Sequence, residues 1–256
     1  MNIWFEPFVE AQCCLCGSPD SLTGEHKFKA AALRSHFDGS HMVVGQFDGT
    51  SALRTVQGPK SKALHFKARI CASCNGTVTQ EADREFDRFR MRMEAAAGDT
   101  LVPGAVFDDP IYAEGTPAYL NVFRYFAKIL SCHVAESGGP RAIDVTKFAR
   151  GISDRNVILL QIDLDPTYRN WAEQSGDHGY AAHGGLMVPM DKETRLPTGF
   201  QTSLTFGPVR YTFWVKFGLL VGSSLFFAHR PFYAKCLAAY EEAIAVAEVE
   251  NNLDEH

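Results

Sequence analysis

The chain has 256 residues, 46% of them hydrophobic and 12% aromatic, and a net charge of −5, which is enough apolar material to bury a core in one large domain or two small ones. Seven cysteines over this length are too sparse for a disulfide scaffold, and the acidic start MNIWFEPFVE carries no charged, apolar, small-residue leader, so a reducing cytoplasm is expected. The longest apolar run, Tyr211 to Gly222, is interrupted by Lys216 and falls short of the roughly 20 residues that a bilayer span requires, which excludes a membrane segment.

In chain order, the first stretch that carries chemistry is CCLCGSPDSLTGEHKFKAAALR, from Cys13 to Arg34, with a Cys-x-x-Cys pair at Cys13 and Cys16 and Glu25-His26 beginning nine residues after Cys16. Three short β-leaning runs follow, HMVVGQF, ALRTVQG and ALHFKARI, separated by DGTS and GPKS; they predict a small antiparallel element. The second pair, Cys71 and Cys74, runs directly into Asn75. From Thr79 to Ala97, Ala82, Phe86, Phe89 and Met93 recur at helical spacing with Arg84, Arg88 and Arg92 on another face, which predicts a helix that stops at Gly98. Asp99 to Pro117 is rich in Pro, Gly and Asp and reads as a connection, so the chain divides into one unit over residues 1–98 and a second over 99–256. In the second unit, Tyr119 to Glu136 predicts an amphipathic helix. NVILLQIDLD, GLMVPMD and FQTSLTFGPVRYTFWVKFGLLVG predict strands of an antiparallel sheet, and FYAKCLAAYEEAIAVAEVE predicts a closing helix.

Charge is unevenly distributed along these elements. From His26 to Arg69 there are eight basic residues against two acidic, a balance of +6, whereas residues 99–256 carry thirteen basic against nineteen acidic, a balance of −6. A surface able to meet a phosphate backbone is therefore expected between the cysteine pairs, on an otherwise acidic body. The alternative is a solvated loop region that is merely basic.

A Cys-x-x-Cys turn brings two thiols to adjacent corners of a tetrahedron, and two such turns complete the four-thiolate site that holds structural Zn²⁺. Cys13, Cys16, Cys71 and Cys74 meet that requirement, with Cys14 an alternative to Cys13 inside the first pair; Cys132 and Cys236 fall on apolar helix faces and read as core thiols. Closing both pairs on one ion would bring Glu25, His26 and Asn75 together although 49 residues separate His26 from Asn75. A neutral imidazole accepts a proton from water, while a carboxylate and a carboxamide oxygen offer hard ligands to Mg²⁺ or a similar cation. Together they describe metal-assisted hydrolysis of a phosphodiester. Asn75 also suits a helix N-cap. Asp83 and Asp87, one turn apart, either extend a metal site or pair with Arg84, Arg88 or Arg90, and the arginine pairing is the expectation.

The order Cys-x-x-Cys, Glu-His, Cys-x-x-Cys-Asn and helix resembles the zinc-stapled HNH endonucleases of the ββα-metal type, over residues 11–93. The resemblance implies His26 as general base, Glu25 and Asn75 as ligands of a catalytic Mg²⁺ or Mn²⁺, and the four cysteines as structural zinc ligands. The family often has Pro three residues after the base, where this chain has Lys29. The family's middle Asn is replaced by Phe66, with His65 beside it as the residue available for that role. The span from His26 to Cys71 also leaves room for an extra hairpin.

The expected fold class is α+β: a small zinc-stapled ββα unit, then an α+β domain with an antiparallel sheet and flanking helices that serves target choice, regulation or homodimerisation. Two functions stand side by side. One is an endonuclease acting on DNA, with RNA as the alternative substrate. The other is a catalytically inactive module that grips nucleic acid or protein.

Overall fold

The structure is a computed structural model that describes residues 4–7, 9–36, 42–47, 54–56, 61–97, 104–168 and 180–254. Among the described residues are ten strands and six α-helices. The strands are β1 (Phe5–Glu6), β2 (Leu22–His26), β3 (Met42–Phe47), β4 (Arg54–Val56), β5 (His65–Cys71), β6 (Arg141–Ala142), β7 (Leu159–Leu164), β8 (Tyr180–Gly184), β9 (Gly199–Phe206) and β10 (Val209–Lys216). The helices are α1 (Ala30–His36), α2 (Gln80–Ala96), α3 (Pro117–Glu136), α4 (Ile143–Ala149), α5 (Leu219–Ala228) and α6 (Arg230–Asp254). The fold is α+β, with no helix among the described residues long and apolar enough to cross a membrane.

Two sheets matter for the site. β2 and β5 form an antiparallel pair that leads through a turn at Cys74–Val78 into α2. The larger sheet has six strands in the order β4-β3-β8-β9-β10-β7. β9 and β10 make a tight hairpin in which Phe206 faces Val209, and Gly207 takes φ +51°, the left-handed conformation that such a two-residue turn demands. The β3–β4 pair is antiparallel as the sequence predicts, yet it does not stay a small separate element. β3 runs parallel to β8 and so joins the sheet of residues 99–256.

α3 is the central support. Thr116 caps it by accepting a hydrogen bond from the Tyr119 backbone N–H at 3.2 Å, and Pro117 occupies its first turn. Its residues from Val122 to Ala135 are almost all buried, including Lys128 and His133, so beyond its first turn this helix is enclosed on nearly all sides. One face packs on the large sheet, where Phe126 meets Tyr211 and Phe213 at ring-centroid distances of 5.7 and 4.8 Å. Another meets α2, where Tyr125 stacks on Phe86 at 3.8 Å and 6°. The apolar stripe of α2 is the predicted one, with Ala82, Phe86, Phe89 and Met93 all buried. Buried side chains from residues 1–98 and 99–256 thus form one hydrophobic cluster.

Two sequence expectations change. GLMVPMD is no strand among the described residues: it makes only isolated bridges, Met187 to Gln201 and Met190 to Pro197, and the strand lies just before it at Tyr180–Gly184. GLLVG does not extend β10, because the chain turns at Gly218 into α5. Gly98, the expected helix stop, lies outside the described residues, and α2 ends at Ala96.

Candidate functional site

The thiols of Cys13, Cys16, Cys71 and Cys74 lie within 4.8 Å of one another and can hold a metal ion such as zinc. The first knuckle is closed by Gly17 N–H to Cys13 C=O and Cys13 N–H to Ser18 C=O, each at 2.8 Å. Gly17 takes φ +76°, which lets the chain turn out of the Cys-x-x-Cys loop. The second knuckle follows β5, and Cys74 N–H points at Cys71 Sγ at 3.4 Å. Backbone bonds from Cys14 to Arg69 at 2.9 Å and from Ala72 to Ser21 at 2.9 Å lock the knuckles against each other. Crowding couples the thiols: the hydrogen bond with Cys74 pushes Cys13 down to about 4, and the same bond pushes Cys74 up. A cluster that favours a thiolate in this way is suited to a soft dication. Cys14 is settled by its direction, since its Sγ lies 3.5 Å from Cys132 Sγ in the core and outside the four-thiol group. Cys132 and Cys236 are buried core thiols.

Beside this cluster lies a cavity of about 150 Å³ lined by Glu25, His26, Lys29, Asn75, Asp83 and Tyr125. Consecutive residues of a regular strand point to opposite faces, so Glu25 and His26 could not both line one cavity without a local distortion. That distortion is present: the β2–β5 register breaks between Gly24 and His26, as in a β-bulge that re-aims a side chain. Asn75 arrives from a wide helical turn, Cys74–Val78, in which Thr79 N–H reaches back five residues to Cys74 C=O at 3.2 Å. Such turns occur often at functional sites. Its Nδ2 donates to Thr23 Oγ1 at 3.2 Å and to Gly24 C=O at 3.3 Å, which leaves Oδ1 as its remaining polar atom. Asn75 therefore ties the helix start to the strand bearing Glu25 and His26 instead of capping α2.

The electrostatics centre on a lysine that the sequence does not single out. Lys128 of α3 is only 1% exposed. Its Nζ donates to Asp83 Oδ1 and Oδ2 at 2.9 and 3.0 Å and lies 3.1 Å from Glu25 Oε1. Burial acts to lower its pKa, but Glu25 and Asp83 outweigh burial and hold the ammonium charged. Burial pushes the Glu25 carboxyl up, against the pull of Lys128. Lys29 donates to Asp87 Oδ2 and to the Asp83 carbonyl. Three carboxylates (Glu25, Asp83, Asp87) and two ammonium groups (Lys29, Lys128) thus leave one uncompensated negative charge, since −3 and +2 sum to −1.

His26 and His65 face each other across β2 and β5, with ring centroids 3.9 Å apart. Burial, and then His65, Arg34 and Lys128, lower the His26 pKa, which keeps its ring neutral and able to accept a proton near pH 7. Phe66, by contrast, is buried against His133 at 4.8 Å, away from the cavity.

Glu25, His26 and Asn75 share the cavity, with His65 at its edge through its contact with His26. Asp83 and Asp87 do not take the expected arginine partners: they pair with Lys128 and Lys29, while Arg84, Arg88 and Arg90 pair with Glu81, Glu85 and Glu94. Lys128 and Tyr125 are the site residues that sequence reasoning misses; a lysine inside the apolar phase of a helix is the one available signal. Of the basic residues between the cysteine pairs, Lys27 and Lys29 are paired with Glu136 and Asp87, and Arg34, Lys62, Lys67 and Arg69 are exposed. Lys60 and the Arg54 side chain lie outside what is described. Set against family models, curated proteins and solved structures, the chain matches none of them.

Proposed function

We propose that the chain is a metal-dependent endonuclease of the HNH type that hydrolyses DNA phosphodiester bonds with His26 as general base. Supporting this reading is one observation above others: Glu25, His26 and Asn75 converge on a single cavity beside a four-cysteine cluster, through a β-bulge and a wide turn. Cys13, Cys16, Cys71 and Cys74 would hold the structural zinc. Glu25, through the carboxylate oxygen not spent on Lys128, and Asn75, through Oδ1, would hold Mg²⁺ or Mn²⁺. The donor set fits such a hard cation, and the local charge of −1 favours binding one.

When bound, the cation supplies Lewis-acid stabilisation of charge on the phosphate and on the leaving oxygen. His26 accepts a proton from water as the water oxygen bonds to phosphorus, the bond to the leaving sugar oxygen breaks, and that oxygen is protonated from solvent. His65, packed on the imidazole, restricts its orientation.

The test is incubation of supercoiled plasmid with purified protein and Mg²⁺ or Mn²⁺, alongside His26→Ala and with a structured RNA in parallel. Cleavage by the wild type and a loss of at least about a hundredfold in the variant are expected, in line with the size of a general-base contribution. Equal cleavage by both removes His26 from the role. A second reading, a zinc-stapled module that binds without hydrolysis, is favoured by the Glu25 oxygen already spent on Lys128, and absence of cleavage with either metal selects it.

A further inference from the structure

Besides Asp83, whose carboxylate is spent on Lys128, two residues of the cavity wall have no part in holding the cation or in moving the proton. Lys29 is the only cationic side chain among those lining the cavity, and Tyr125 presents the only hydroxyl there. We propose that Lys29 and Tyr125 form the phosphate grip of the site, Lys29 supplying charge and Tyr125 a neutral hydrogen-bond donor to the non-bridging oxygens of a nucleic-acid phosphate.

An ammonium carries three donors. Two of the three on Lys29 go to Asp87 Oδ2 and to the Asp83 carbonyl, and the third remains for a ligand in the cavity. Those two bonds fix a flexible side chain before any ligand arrives, so less freedom is lost on binding. Tyr125 is similarly pre-set, its ring locked on Phe86 and flanked by Phe126. Burial, with Asp83, Glu25 and Asp87 nearby, keeps its hydroxyl protonated, so it can only help an anion by donating. Lys128 cannot substitute for Lys29, because it is enclosed and already shared by two carboxylates. Electrostatics complete the argument. The site alone carries −1 and repels a phosphate; one dication brings it to +1, and Lys29 is then the charged donor that can reach the anion directly.

The identity of the ligand rests on the nuclease reading; the grip itself does not. The experiment measures binding of a short fluorescent DNA duplex by anisotropy, in Mg²⁺ and over a range of salt, with His26→Ala as the parent so that no strand is cut. Lys29→Met is expected to reduce the slope of log Kd against log salt by about 0.9, the share of one phosphate contact on duplex DNA. Lys29→Arg keeps the slope. Asp87→Asn also keeps it, since this variant loses the ion pair but retains the ammonium, and it guards against a Lys29→Met protein that fails to fold. Tyr125→Phe weakens binding with no change in slope, because a neutral donor releases no counterion. An unchanged slope in Lys29→Met, a reduced slope in Asp87→Asn, or a parent that does not bind the duplex overturns the proposal. A reduced slope in Lys29→Met, together with a wild-type chain that cuts no plasmid, leaves the grip standing and removes the nuclease reading. Cutting by the wild type with an unchanged slope does the reverse.

Discussion

His133 shows how a buried ring contributes to the acid sensitivity of the fold. It lies in α3, edge-on to Phe66 of β5 and 5.8 Å from His183 of β8, and Lys27, itself paired to Glu136, also acts on it. Burial, then His183 and Lys27, hold its pKa well below the ordinary value, so the folded ring stays neutral while the unfolded chain takes up a proton below about pH 6.5. The unfolded state therefore binds more protons in acid, and stability must fall as the pH drops through that value. One such histidine costs about 2 kcal/mol between pH 7 and pH 5. Urea titrations at the two pH values should show that loss in the wild type and a flatter dependence in His133→Gln; parallel behaviour of the two proteins would exclude this ring as the cause. Lys128 acts in the opposite sense, as a charge the fold needs. Replacing it with Met leaves Glu25 and Asp83 without their buried partner, a change expected to cost about 3–5 kcal/mol in urea unfolding. Adding Asp83→Asn should recover part of that loss, and a purely additive double variant would argue against the coupling. Neither residue was legible from the sequence. Helical periodicity places both in α3, but only the approach of β2, β5, α2 and β8 decides that nearly every side of that helix is covered.

At the scale of elements, the two cysteine knuckles and the wide turn between Cys74 and Val78 form one mechanical unit. The knuckles are bonded to β2 and β5 through their backbones, and the turn hands Asn75 back to the strand that bears Glu25 and His26. A metal on the four thiols would therefore fix the geometry of the cavity, although none of those sulfurs lines it. Zinc removal by a strong chelator, or Cys74→Ser, should speed amide exchange in residues 13–26 and 71–79 on the order of a hundredfold, equivalent to ~3 kcal/mol of local stability. The paired strands β9 and β10 should stay protected. Elemental analysis of the untreated protein should return one zinc per chain, and zinc-free protein with unchanged exchange would remove the staple. The knuckles were legible because cysteine spacing is a local code, and so were α2 and α3, whose apolar residues repeat at helical intervals over many turns. GLMVPMD and GLLVG misled for a physical reason: short apolar runs fit strand, bridge or helix equally, and the decision falls to Gly218 and to pairing partners distant in sequence.

For the whole molecule, the question is whether residues 1–98 can stand without the remainder. Their longest described helix, α2, buries Phe86 and Phe89 against Tyr125, Phe126 and Tyr211, all from residues 99–256. β3 has its outer partner β4 from its own half, but its inner partner β8 from the other. The cavity itself is completed by Tyr125, and two of its carboxylates share the Lys128 ammonium. Cut free, a fragment of residues 1–98 would expose two large aromatic side chains on α2, each worth roughly 1.5–3 kcal/mol of burial, and would leave Glu25 and Asp83 without their ammonium. A zinc staple can hold the knuckles together, but it cannot replace that surface. Expressed alone, the fragment is thus expected to bind zinc yet lack a cooperative thermal transition and fail to cut plasmid, whereas the full chain should melt in one transition by both far-ultraviolet circular dichroism and tryptophan fluorescence. A fragment that melts cooperatively would show that the shared core is a contact between two self-sufficient bodies. In that case the burial of Lys128 would reflect docking of one body on the other, and the loss predicted for Lys128→Met should appear as weakened association of the halves instead of lower stability in each.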